Sequence, residues 1–311
     1  MPLLATAIGS YGITRALKEG RVGSERLALD LVEIAPITKA MRRMVRRPDL
    51  DISEMAFATY LCAKALGKPI TALPIFLTRN FHHWAAFRHR RADIRSSREL
   101  EGRRVIVNRG YTVTTGLWIR SILKTEHGVD LGRITWMPTD EEHVAEYQAP
   151  ANVDYAWRGR DAAELLLSGA ADAAIGDVKT NSLDVEPLIV KTREAGFAYY
   201  RRTGIYPINH AVVVRDDVLR ADPTLAAELM RMFAASKAPY LAELASGSSN
   251  MPADVAAREV SGVVGDPFPF GITANRNAID AILDFALDQQ IIRRRLDVEE
   301  IFAAGALSDV A

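Results

Sequence analysis

Short apolar runs alternate with stretches whose apolar residues recur every three or four positions, and the alternation persists along most of the chain. A period of two marks strands and a period near 3.6 marks helices. Leu3 to Ile8 reads as a strand, Thr14 to Glu19 as a short helix ending near Gly20, and Leu27 to Ile34 as an alternating strand. Ile37 to Val45 is a helix stopped before Pro48, Ile52 to Met55 a short strand, Thr59 to Leu66 a helix closed by Gly67, and Ile70 to Phe76 a strand. A second series begins near Arg95. It has strands at Arg104 to Asn108, Ile134 to Pro138 and Ala171 to Ile175, with helices at Thr114 to His127 and Asp161 to Ser168 between them. The β-branched strand Ala211 to Arg215 follows. The helices Leu225 to Leu244, Ala253 to Val260 and Ala274 to Gln289 and a short one in Leu296 to Phe302 complete the chain. Strands alternating with helices predict an α/β protein with largely parallel sheets. Residues 140–160 are polar and irregular, and they read as a mobile loop.

Length changes this picture by doubling it: 311 residues exceed what one domain usually holds and predict two lobes. Charge removes a class of partner. With 39 basic and 39 acidic residues the chain has no basic excess, so nucleic acid is not expected. No run approaches the ~20 apolar residues of a membrane span, and the N-terminal segment lacks a basic region followed by a long apolar one. It reads as a first strand, which predicts a cytoplasmic location. The single cysteine, Cys62, lies in an apolar stretch and reads as a buried hydrophobe. There is no metal-binding motif, no P-loop and no Gly-x-Gly-x-x-Gly, so neither a nucleotide nor an organic cofactor is called for.

Several motifs carry a resemblance. Glu99-Leu100-Glu101-Gly102-Arg103-Arg104-Val105-Ile106-Val107 resembles the segment that opens the second lobe of type 2 periplasmic solute-binding proteins. Tyr11-Gly12-Ile13-Thr14-Arg15, Glu54-Met55, Phe81-His82-His83, Trp118-Ile119-Arg120 and Ala274-Asn275-Arg276 are similar to the 4,5-dihydroxyphthalate decarboxylase family. So is Arg201-Arg202-Thr203-Gly204-Ile205-Tyr206-Pro207-Ile208-Asn209-His210, the most specific run. The chain departs from the family at Gly12 and Ile13, where the pattern has Asp and Arg, and at His82, where it has Arg.

The resemblance implies a two-lobed binding-protein fold with a central, mostly parallel sheet in each lobe. Lobe one would comprise residues 1–92 and 206–311, and lobe two residues 93–205. It implies a decarboxylase that clamps a hydroxylated aromatic carboxylate between the lobes, with self-association left open. The alternative is a non-catalytic binding or sensing protein for a small aromatic or carboxylate anion. In such a fold, ligands meet the C-terminal ends of parallel strands and the free N–H groups of helix N-termini. Ser10, Tyr11, Thr59, Tyr60, Tyr111, Thr112 and Thr114 lie in stretches that arrive there and offer hydroxyls and amides to an anion. Arg79, just past a strand, is expected to clamp a carboxylate. Arg201 and Arg202 are read as alternating sides, with Arg202 toward the ligand. His83 and His210, at the two crossings between lobes, are the expected proton handlers, because histidine changes charge near neutral pH. Read as extended, the segment turns His82 away from His83. Asp177 is the reserve catalytic group, and a metal site built from His83, His210 and Asp177 stays geometrically open.

Overall fold

The computed structural model describes residues 2–306. Its strands are β1 (Leu3–Ala7), β2 (Ala28–Leu31), β3 (Ile52–Ala56), β4 (Ile70–Arg79), β5 (Ala86–His89), β6 (Arg104–Val107), β7 (Thr135–Pro138), β8 (Ala173–Ile175), β9 (Val185–Pro187) and β10 (Ile208–Arg215). They form two five-stranded sheets, ordered β2-β1-β3-β10-β4 and β7-β6-β8-β5-β9. In the first, β10 runs against the other strands; in the second, β5 does. Each sheet is therefore mostly parallel with a single reversed strand, as expected.

The chain divides into two compact units. The first runs up to Arg79, resumes over Ile208–Asp280 and again from Leu296; the second is Asn80–Pro207 with Ala281–Arg295. The sequence reading put the first crossing at residues 92 and 93. The chain changes unit earlier because β5 hydrogen-bonds to β8 and β9. A tertiary grouping that leaves no linear signal puts Ala281–Arg295 with the second unit.

In the first unit β4 alternates. Leu73, Ile75 and Leu77 join Leu4, Ile13, Leu17, Val212, Leu229 and Phe233 in one apolar cluster. Phe76 instead meets Phe57 and Phe302, with ring centroids 5.8 and 6.1 Å away. Successive side chains of a strand point to opposite faces, so β4 is buried on both sides. The helix Gly12–Lys18 packs on the long helix Leu225–Ser246. In the second unit Ile106, Met137, Leu165, Leu166 and Ala174 form a corresponding cluster.

Two local expectations are corrected. Residues Thr192–Thr203 form a helix closed by Gly204 at φ 67°, so Arg201 and Arg202 do not alternate sides as strand residues would. His82–Ala85 is a 3-10 turn that buries both His82 and His83, so strand-like alternation does not apply there. Within residues 140–160, Glu142, His143 and Val144 are buried and Val153 is bridged to Trp136, while most of the stretch lies at the surface. Cys62 is buried as expected. Among the described residues no helix is long and apolar enough to cross a membrane.

Candidate active site

In the first unit the C-terminal ends of β1 and β3 and the N-terminal end of β10 lie side by side. β1 and β3 are parallel, and β10 enters antiparallel with His210 opposite Ala56. Glu54 sits two residues before Ala56, which makes it the diagonal, same-face neighbour of His210. The register thus brings the two side chains together: His210 Nδ1 lies 2.5 Å from Glu54 Oε1.

Glu54 is fully buried, in a strand whose every residue is buried. An isolated carboxylate there is very costly, so it needs donors. Tyr11 donates its hydroxyl to the same oxygen at 2.7 Å, and the Gly9 amide donates to Oε2 at 2.8 Å. Burial pushes Glu54 up, but the bond and charge of His210, the Tyr11 hydroxyl and the Gly9 amide outweigh it. The carboxyl therefore lies below its ordinary range. Burial, and then the Glu54 charge, push the Tyr11 phenol well above its ordinary range, so it stays neutral.

The turn after β1 is built for this geometry. The Tyr11 ring folds back over Gly9, where an added Cβ would lie 2.5 Å from the ring. Tyr11 then starts the helix: its amide donates to Thr14 Oγ1 at 2.9 Å, and Thr14 in turn donates to the Gly9 carbonyl at 2.8 Å. Gly12, the first departure from the family pattern, lies under Tyr240, whose ring would be 2.2 Å from a Cβ. Ile13, the second, is in the apolar core. Neither position offers a charge.

His210 Nε2 makes no hydrogen bond among the described residues, and the side chain keeps 19% of its exposure. The arrangement is a carboxylate-anchored imidazole with its second nitrogen open, a form suited to moving a proton. On the adjoining strand Arg79 pairs in register with Ile208. Its guanidinium lies 5.2 Å from the Phe76 ring centre and donates to Asn275 Oδ1. Asn275 is buried and donates to the Pro269 and Gly271 carbonyls. The sequence reading missed Asn275 and the part played by Glu54. The latter was visible as a lone carboxylate within Ile-Ser-Glu-Met-Ala.

The other residues singled out from sequence lie elsewhere. Tyr60 is in the core, where its hydroxyl donates to the Ile301 carbonyl at 2.5 Å; Thr59 beside it is fully buried. Ser10 is exposed and accepts from Lys18 Nζ at 2.8 Å. In the second unit the expected anion cradle is already filled from within the protein. The Tyr111 and Thr112 amides donate to Glu142 at 2.5 and 2.9 Å, and the Thr112 and Tyr155 hydroxyls donate to it at 2.6 and 2.8 Å. Thr114 is buried at the start of the following helix. Buried Arg120 donates to the Tyr111 carbonyl and to Gln289 Oε1, both contacts that sequence did not suggest.

His83 is 1% exposed; Nε2 is 3.2 Å from Glu126, and the ring stands edge-on to Tyr199. Arg202 is 58% exposed on the last turn of its helix and donates to the same Glu126. Burial raises Glu126, but His83 and Arg202 outweigh it and hold the carboxyl below its usual range. Asp177 is exposed beside Lys179 at 3.7 Å. His83 and Asp177 belong to the second unit and His210 to the first, and each of the three has its own separate charged partner. Among the described residues no group of three or more His, Cys, Asp or Glu side chains is disposed to hold a metal ion.

The fold is that of the periplasmic binding proteins. The chain is similar to the periplasmic aliphatic sulphonate binding protein SsuA from Escherichia coli, at 13% identity and a TM-score of 0.55, covering 99% of this chain and 98% of that one. It is equally similar to the desulfurization enzyme DSZB, at 14% identity and a TM-score of 0.55, again covering 99% and 98%. Such likenesses establish the fold alone, which houses binding proteins and enzymes alike. No family model matches the sequence. Among curated proteins, the chain is 28% identical to the 4,5-dihydroxyphthalate decarboxylase of Comamonas testosteroni over 323 residues, 98% of this chain and 97% of that protein. It is also 28% identical to the Pseudomonas putida protein of the same name over 181 residues, 56% of this chain and 69% of that one. The resemblance read from the motifs is borne out.

Proposed function

We propose that the protein is a decarboxylase of a hydroxylated aromatic carboxylic acid resembling 4,5-dihydroxyphthalate, with His210 as the proton donor. The carrying observation is the His210 ring, anchored through Nδ1 to buried Glu54 with Nε2 open. The full-length similarity to a 4,5-dihydroxyphthalate decarboxylase supports the reaction class. In the proposed step His210 is first protonated on both nitrogens; the aryl–carboxylate bond breaks, CO2 leaves, and the electron pair stays on the ring carbon, which takes the proton from Nε2 and leaves His210 as the neutral Nδ1–H form. A phenol ortho or para to that carbon pushes electrons toward it, and solvent returns the proton to His210. Arg79, steadied by Asn275, grips an acidic group that remains on the ring. The reading assigns no step to an organic cofactor and gives His83 and Asp177 no role.

The test is incubation with a panel of hydroxylated benzoates and phthalates while CO2 release is followed. At least one should be turned over, and His210→Asn should lower kcat by ~10²–10⁴-fold while binding of a product analogue persists. Absence of CO2 from every member would favour the second reading, a binding or sensing protein for a small acid, to which the fold is equally suited.

A further inference from the structure

We infer that Glu54 is a positioning residue, holding His210 as the Nδ1–H tautomer so that Nε2 alone handles the proton, with Tyr11 and the Gly9 amide holding Glu54 in turn. The inference rests on the decarboxylase reading only for the identity of the reaction. Its structural part stands on the geometry of the first unit.

Three observations carry it. Glu54 is a fully buried carboxylate in a strand that an apolar residue would suit better, since desolvating a charge costs several kcal/mol before any partner is met. Its donors come from three places in the chain: the end of β1, the turn that starts the first helix, and β10. A carboxylate serving stability alone needs no open-ended partner, yet one of these three donors is an imidazole whose far nitrogen is unbonded among the described residues. Ionised carboxylates only accept hydrogen bonds, so His210 Nδ1 must carry the hydrogen in that 2.5 Å contact. The Tyr11 hydroxyl, 2.7 Å from the same oxygen, and the Gly9 amide on the other oxygen stop the carboxylate from rotating away. Within this unit Glu54 on β3 contacts the imidazole, Tyr11 after β1 shares the same carboxylate oxygen, and Arg79 ends neighbouring β4.

The experiment is long-range ¹H–¹⁵N correlation of the imidazoles in the ¹⁵N-labelled full-length protein, with His210 identified by its loss in His210→Asn. The expected result is a protonated Nδ1 with a strongly low-field proton. In Glu54→Gln, whose amide oxygen still accepts but carries no charge, that proton should move to higher field and the tautomer preference weaken. The kcat should fall by ~10²–10⁴-fold with KM changed less than about threefold, the signature of a misheld proton carrier. Glu54→Asp, which keeps a charged acceptor, should recover part of both signals. Tyr11→Phe, which removes one brace, should lower kcat by less than about tenfold. A bare Nδ1 in the unmutated protein overturns the inference even if Glu54→Gln fails to fold, and so does an unchanged Nδ1 proton in a folded Glu54→Gln. The expected NMR result without turnover of any aromatic acid sustains the positioning and removes the decarboxylase reading instead.

Discussion

An acidic residue in the middle of a fully buried strand is either a liability or a device, and the difference lies in its donors. Glu54 accepts from Gly9, Tyr11 and His210, and its carboxyl lies below the ordinary value of 4.5. A carboxyl depressed by folding stabilises the protein fully above its unfolded value, and loses that contribution as the pH falls through the folded value. Glu54→Gln should therefore be less stable than the unmutated protein at neutral pH, and the gap should narrow in acid, as read by urea unfolding across a pH series. A gap that widens in acid would contradict the ionised state assigned here. Glu142 meets the same rule at the second unit's turn. Glu142→Ala would leave the Tyr111 and Thr112 amides without their acceptor, a loss of about 1–3 kcal/mol in unfolding free energy. The lone glutamate of Ile-Ser-Glu-Met-Ala stands out in the sequence as a polar residue in an apolar run. Glu142 does not, because it lies in a polar stretch where an acid is unremarkable.

Most elements form where apolar periodicity places them, and the helix Thr114–His127 begins and ends at its expected residues. The exceptions have a common cause. β5, β9 and the helix Thr192–Thr203 are short or mixed in pattern, and are made by pairing and packing, not by local preference. The segment Leu296 to Phe302 holds the short helix expected of it, Val298–Ile301, and is also a core element. The Phe302 ring stacks on Phe57 at 6.0 Å, meets Phe76 at 6.1 Å, and is followed by Ala303, whose amide donates to the Ala72 carbonyl. Phe302→Ala should lower stability by ~3–5 kcal/mol, a cost measurable by denaturant unfolding and typical of emptying an aromatic core site. A loss below about 1 kcal/mol would mean that the segment only decorates the unit.

At the scale of the molecule, the chain crosses between units four times, after Arg79, Pro207, Asp280 and Arg295, so neither unit is one continuous stretch. The balanced charge makes binding driven by net charge a weak force, and the decarboxylase proposed above would instead recognise a small acid through specific contacts. A ligand that binds only the folded protein stabilises it by mass action, about 2.7 kcal/mol at 100 times its Kd. Hydroxylated aromatic carboxylates should therefore raise the melting temperature in a concentration-dependent way, and Arg79→Ala should weaken that response by ~1.5–3 kcal/mol of binding free energy. An unchanged response in Arg79→Ala would take this arginine out of the binding site.

The sequence by itself determined the class of fold and the order of nearly all major elements, and it marked Tyr11, Arg79 and His210 as candidates for the proposed site. Each of these is a local property, set by periodicity, by turn chemistry or by a motif short enough to resemble a known one. The tertiary structure alone decided which of the marked residues meet. Glu54 and His210 are 156 positions apart in sequence, and an antiparallel register joins them. The same level of structure closed Tyr60 into the core, gave the amides of Tyr111 and Thr112 to Glu142, and turned Arg202 toward Glu126. A hydrogen bond between distant strands depends on register and burial, and neither is a property of any window of sequence.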